Sequence, residues 1–303
     1  MRPVSICPAP AGRRLTFLGL TLMLALLSAC SPRLMLVRSV ADELASQGQA
    51  AEEDVQLARE ASAFYLKLSE SLLRQAPDHP ALAESVAAGF TQYAYAFVAS
   101  EAERIEGRDA KAAQALRVRA ARLYLRAQRH AMTALEQQSP GFAKALASPD
   151  AAQWPKLRAD QVGLAYWAAA AWGGCISLSK DDPNVVADLP LAMRLARLAY
   201  EREPAHGGGA LASLMGNFEL ARPGGTVAQA TRYFDEAIAL GAGQNAGAYV
   251  AKAEGIAQPA GDRPAFEALL QQALHASREA RNLPNEVMRE RAQWLLDSAD
   301  DLF

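Results

Sequence analysis

Ser177 and Lys180 stand three residues apart in Ser-Leu-Ser-Lys, a spacing at which one helical turn sets a lysine amine beside a serine hydroxyl and can activate it for acyl transfer. The companion motifs of such a site are absent, so the spacing carries no reaction. The four histidines, His79, His130, His206 and His275, offer no pair at the i, i+4 spacing that brings two imidazoles onto one metal ion. No Walker loop, HExxH, CxxC or GxSxG occurs. Gly241, Gly243 and Gly247 miss the dinucleotide spacing by one residue and follow no strand. The chain therefore reads as no enzyme, with no catalytic residue, no metal and no cofactor. Its distinctive side chains are those of a binding protein. Phe90, Tyr93, Tyr95 and Phe97 lie in GFTQYAYAFV, and Tyr166, Trp167 and Trp172 in YWAAAAWGG. Tyr93 and Phe97 share a helix face at i, i+4, Phe90 joins it at i−3, and Tyr95 points elsewhere. Core packing is the ordinary use of such stripes. The alternative is that Tyr95 and a tryptophan line a cavity, where an amphipathic ring holds an apolar ligand and still hydrogen-bonds.

Two charged turns and one cysteine complete the set. LSKDDPNVVADLP, residues 178–190, crowds Lys180, Asp181, Asp182 and Asp188 into a helix connection, either a solvated loop or a rim that reads a partner by charge. Arg222 in Arg-Pro-Gly-Gly either neutralises a helix C-terminus or joins that rim. Cys30 follows Leu27-Ser28-Ala29, which resembles the bacterial lipobox, whose cysteine becomes thioether-linked to diacylglycerol. Upstream of it, Arg2, Arg13 and Arg14 precede an uncharged apolar run over residues 15–29. At that length the run falls short of the roughly 20 residues a permanent span needs, and reads as an export signal. Residues 1–29 are then a lipoprotein signal peptide, 30–50 a lipidated tether and 51–303 the folded domain. Ser31, which is not Asp, favours the outer membrane over the inner membrane. Cys7 leaves with the signal and Cys30 is acylated. Cys175 remains alone in an apolar stretch, as a buried small hydrophobe.

The elements that must position these residues are helices. Ala and Leu supply 105 of the 303 residues, and Val, Ile and Thr only 24, a balance that excludes sandwiches, barrels and parallel sheets. The mature chain carries 28 basic and 33 acidic residues and no basic run, so nucleic acid is not an expected partner. Periodicity and punctuation predict helices over 52–75, 81–106, 110–137, 157–179, 190–202, 208–220, 227–240, 245–257, 264–280 and 285–301. Residues 31–50 show weak periodicity. Pro80, Pro190 and Pro264 suit first turns, Asp109 and Thr226 suit N-caps, and Thr226 with Gln229 has capping-box spacing.

Small-bulky-small triplets recur. Ala120, Tyr124 and Ala127, then Ala192, Ala196 and Ala199 before Pro204 with a small plug, then Ala230, Phe234 and Ala237 in full, then Phe266, Leu270 and Ala273 loosely, occupy the offsets of a tetratricopeptide second helix. Two helices that cross closely need Ala at the crossing and a plug beside it. The expected fold is all-α, a tetratricopeptide-like solenoid of helical hairpins with residues 285–301 as a C-terminal capping helix.

The blocks FTQYAYAFV, YWAAAAWG, ISLSKDDPNVVADLP, ARPGG and AGAYV, followed by RAQWLL and DDLF, resemble the T-component (TatT) family of tripartite ATP-independent periplasmic (TRAP) transporters from about residue 50 to Phe303. The resemblance implies a periplasm-facing lipoprotein in a ring-like homo-oligomer, usually a trimer, that partners the solute-binding P-component. It also implies a cavity suited to apolar or amphipathic ligands. Placed on this sequence, the cavity candidates are Tyr93, Tyr95, Trp167 and Trp172. The rim candidates are Lys180, Asp181, Asp188 and Arg222. A contrasting reading is an envelope scaffold whose concave surface binds protein helices or tails without a small molecule.

Overall fold

The computed structural model describes residues 32–47 and 52–303, and Cys30 with the expected signal segment lies outside the described residues. Every described element is a helix or a turn. In chain order the helices are α1 (Pro32–Gln47), α2 (Val55–Leu73), α3 (Pro80–Tyr93), α4 (Ser100–Ile105), α5 (Ala110–Gln138), α6 (Phe142–Ala147), α7 (Val162–Ser177) and α8 (Pro183–Val186). They continue as α9 (Leu189–Arg202), α10 (Ala210–Ala221), α11 (Val227–Leu240), α12 (Ala246–Lys252), α13 (Arg263–Glu279), α14 (Leu283–Asp297) and α15 (Ala299–Leu302). Two π-helical turns interrupt this pattern: Ala94–Ala99 joins α3 to α4, and Ala253–Ala257 extends α12.

The helix ends follow their local chemistry. Asp109 accepts the Ala112 N–H at 2.9 Å, and His79 Nδ1 accepts the Leu82 N–H at 3.1 Å ahead of Pro80. Thr226 caps α11 through the Gln229 N–H at 3.2 Å, but its own N–H goes to Glu219 Oε1 at 3.0 Å. The expected reciprocal capping box is thus half replaced by a carboxylate from the preceding helix.

The region read as a weakly periodic tether contains α1, which packs on α2 and α3. Its pattern is faint because Ala41 and Leu44 are its buried side chains while Leu36 and Val40 stand exposed. Tyr65 of α2 donates its hydroxyl to the Leu44 carbonyl, and His79 meets Asp42 at 3.0 Å.

Packing then runs from helix to helix: α3 on α5, α5 on α7, α7 on α9, α9 on α10, and onward to α13 on α14. One apolar core extends from Ala41 to Phe218 and a second from Ala246 to Leu295, with Ala212, Ala237 and Ala248 between them. All four triplets are buried, and Phe234 and Phe266 lose all accessible surface. Truncating either phenylalanine to Ala costs about 3–5 kcal/mol in such a setting. Glycine permits the closest approaches: a Cβ on Gly174 would stand 2.8 Å from the Tyr124 ring, and one on Gly216 2.7 Å from Phe234.

The last long helix returns to the first ones. α14 packs against α2, Arg281 reaches Glu53 at 3.1 Å, and Arg104 lies 3.8 Å from Glu290. The helical array is therefore closed on itself by contacts between residues 53–105 and 281–291.

Candidate functional site

The closure is centred on Arg291. Its guanidinium takes Glu254 through two bonds of 2.6 and 3.0 Å and Glu103 through one of 2.9 Å, and its side chain is 12% exposed. It also lies 5.8 Å from the ring centroids of both Tyr95 and Trp294. Each partner comes from a different element: Tyr95 from the first π-helical turn, Glu254 from the second, Glu103 from α4 and Arg291 from α14. A π-helical turn inserts one residue into the helical ladder and re-aims the side chains around it. Both such turns among the described residues deliver a group to the same guanidinium.

Burial opposes the Arg291 charge, but Tyr95, Glu254 and Glu103 outweigh it and hold the group above its ordinary value. Burial pushes the Tyr95 hydroxyl up to about 12, with Arg291 opposing and the two glutamates adding. Burial likewise raises Tyr124 beyond the ordinary phenol range, and Tyr95 and Glu103 add to it. Both phenols are therefore neutral at neutral pH and able to donate a hydrogen bond. Among the described residues the Tyr95 hydroxyl has only Met288 Sδ, at 4.0 Å, as a partner. The Tyr124 hydroxyl has no hydrogen-bond partner among the described residues, and the residue is 5% exposed. One free donor, on Tyr124, and one engaged only by a weak sulfur acceptor, on Tyr95, thus stand next to a paired guanidinium.

The four aromatic cavity candidates occupy different surroundings. Tyr95 belongs to the Arg291 group. Tyr93 sits edge-on to Phe97 at 5.5 Å with Arg119 5.9 Å from its ring centroid. Trp167 packs edge-on against Tyr166 at 4.7 Å, and burial pushes the Tyr166 hydroxyl up to about 12. Trp172 is 9% exposed and donates Nε1–H to Asp188 at 3.2 Å. That bond ties a cavity candidate to a rim candidate. Lys180 and Asp181 are exposed in the turn before α8, while Arg222 forms bonds of 2.7 and 2.8 Å to Glu219. The Glu219 carboxyl is held below its ordinary value chiefly by Arg222. Two open concavities lie elsewhere, one between Lys252 and Gln272 and one between Pro77 and Gln138.

Sequence reasoning missed Glu103, Tyr124 as a polar group, Glu254, Met288 and Arg291. No local signal marks them, because Tyr95 and Met288 meet across 193 residues. It also missed Glu70, whose carboxylate, 4% exposed, binds Arg126 of α5, Lys67 at 2.7 Å and His130 at 3.0 Å. Burial pushes the Glu70 carboxyl up, but bonds from Arg126, Lys67 and His130 prevail and bring it down to about 2. Cys175 is buried, and burial raises its thiol. Among the described residues no group of three or more His, Cys, Asp or Glu is placed to hold a metal ion. No described helix is long and apolar enough to cross a membrane.

Residues 51–303 match the family model described as TRAP transporter T-component. An uncharacterized protein of Treponema pallidum (strain Nichols) is 26% identical over 265 residues, covering 83% of this chain and 81% of that protein.

Proposed function

The chain belongs to the TRAP transporter T-component family, and from that membership we propose that it is a membrane-tethered accessory protein that holds an apolar or amphipathic ligand and exchanges it with the solute-binding P-component. The observation that carries this reading is the pair of neutral phenols beside the closing Arg291, Tyr124 with no hydrogen-bond partner among the described residues and Tyr95 donating to the Met288 sulfur. A ligand with an apolar body and one oxygen-bearing end suits that setting. The body replaces water against aromatic and aliphatic walls, and the oxygen accepts from a phenol whose alternative partner is a weak sulfur acceptor.

The remaining parts follow from the same reading. Acyl chains on Cys30 contribute roughly 0.8 kcal/mol per buried methylene and keep the body at the envelope, with the outer membrane preferred. The turn bearing Lys180 and Asp181 meets the P-component, and Asp188 stiffens its far end through Trp172. The protomers assemble into a homo-oligomer, with a trimer expected.

Native mass spectrometry of the protein extracted from its own membranes tests the proposal. A bound small molecule is expected in the native chain, with retention reduced about tenfold or more in Tyr95→Phe, since a lost hydrogen bond in a dry site is worth about 1–3 kcal/mol. An empty native chain that also fails to crosslink to a solute-binding protein would overturn the reading.

A further inference from the structure

Six of the nine large hydrophobic residues that stand exposed among the described residues lie on α1, α2 and α5: Leu36, Val40, Leu57, Phe64, Leu68 and Val118. Leu57, Phe64 and Leu68 recur at i, i+7 and i+11, so they form one outward stripe along α2, with Phe64 75% exposed. Beside that stripe runs a cationic helix in a chain whose net charge is −2. From Ala110 to Leu135, α5 carries Lys111, Arg117, Arg119, Arg122, Arg126 and Arg129 and no acid. Arg117 and Arg126 are paired with Glu106 and Glu70. Lys111, Arg122 and Arg129 are exposed and have no ion-pair partner among the described residues. The two helices share an edge, because Glu70 of α2 binds Arg126 and His130 of α5. Along it Lys67 and Arg74 remain 59% and 62% exposed.

We propose that this face of α2 and α5 rests on a lipid bilayer with anionic headgroups. Phe64, Leu57 and Leu68 enter the boundary between headgroups and acyl chains, while Lys111, Arg122 and Arg129 meet lipid phosphates. An apolar stripe bordered by unpaired cations is the pattern of a surface that lies in a membrane interface, since each half satisfies one layer of the lipid. The chain's own route agrees: α1 begins two residues after Cys30 and packs on α2 and α3, so the tether leaves from the same part of the molecule. A second copy of the same face would bring uncompensated arginines together. An acidic protein would meet the arginines but gives no reason for a protruding phenylalanine. The proposal rests on the reading of the chain as an envelope protein anchored at Cys30, and it adds the side on which the body lies down.

The test uses the mature chain from Ser31, which keeps every described residue and carries no acyl group. Co-sedimentation is measured with vesicles of phosphatidylglycerol and phosphatidylcholine in equal parts and with vesicles of phosphatidylcholine alone. Binding is expected to the anionic vesicles and to weaken with added salt. The double substitution Arg122→Glu/Arg129→Glu is expected to lower it by about 25-fold or more, and Phe64→Ser by about tenfold. All three positions are exposed, and an unchanged melting temperature verifies the fold of each variant. Equal binding to both vesicle types, or full binding by the charge-reversed chain, overturns the proposal. So does a charge reversal that changes only the oligomer mass, which would assign the face to a second copy. Loss of capture by the solute-binding protein without any vesicle binding would assign it to an acidic protein instead. Intact mass of the native protein reports acylation of Cys30 separately, so failure of the anchor and failure of the surface are told apart.

Discussion

At Glu70 one buried carboxylate is ringed by Arg126, Lys67, Arg74 and His130, whereas at Arg291 one guanidinium is ringed by Glu254, Glu103 and two aromatic rings. The first cluster ties α2 to α5 over a shared apolar core. The second joins parts of the chain almost two hundred residues apart, across a boundary where α14 meets α2 over a small contact. Where both helices feed one apolar core, as Leu66 and Leu73 of α2 do with Ala120 and Ala127 of α5, an ion cluster orients elements that the core already holds. Where they belong to separate cores, as α2 and α14 do, the cluster supplies more of the attachment, and its loss exposes the loop-closure entropy of the whole chain. The surroundings differ in consequence as well as in sign. The Glu70 cluster leaves cations over on an outer face, and the Arg291 cluster leaves neutral phenols over on an inner one.

Replacing the central residue at the closure should have the largest effect. Arg291→Met is expected to cost about 3–5 kcal/mol, because two carboxylates lose their shared partner. Urea denaturation measures the loss, and amide exchange should rise first in Leu283–Asp297. A loss under about 1 kcal/mol would show that packing closes the array without the ion cluster.

Glu70→Gln should cost roughly 3 kcal/mol at neutral pH, from a carboxyl held at about 2 in the fold against an ordinary 4.5. The sign follows from the depressed value: the stabilisation is complete above about 4.5 and disappears as pH falls through about 2. The gap between native and Glu70→Gln should therefore narrow steadily over that window in urea unfolding. A gap that stays constant down to pH 2 would assign the effect to packing and erase the contrast in charge.

The smallest effect is expected at the rim of the closure. Arg281 and Glu53 are 63% and 52% exposed, so a double-mutant cycle should return a coupling below about 1 kcal/mol that vanishes near 0.5 M salt. A larger, salt-resistant coupling would move the attachment from Arg291 to the surface.

Much of this architecture is legible along the chain. The predicted helix over 110–137 is Ala110–Gln138 and that over 227–240 is Val227–Leu240, because capping and 3.6-residue periodicity act within a few residues. The buried triplets were readable for the same reason. The turn at 94–99 was not, since the residues that make it π-helical are ordinary helix formers and the distortion reflects what packs around them. The aromatic groups could be found as clusters but not sorted. Tyr93 and Tyr95 are two residues apart, yet one meets Phe97 and Arg119 and the other meets Arg291.

Composition and spacing were thus sufficient for the all-helical class, the ends of helices such as α5 and α11, the small residues at helix crossings and the blocks that mark the family. Each of these depends on interactions along one helix or one turn. That the array closes, that two π-helical turns converge on Arg291, and that the Tyr95 and Tyr124 hydroxyls are buried beside it belong to the tertiary structure alone. Such contacts join residues with no sequence relation, and their value comes from removal from water, which no single segment accomplishes by itself.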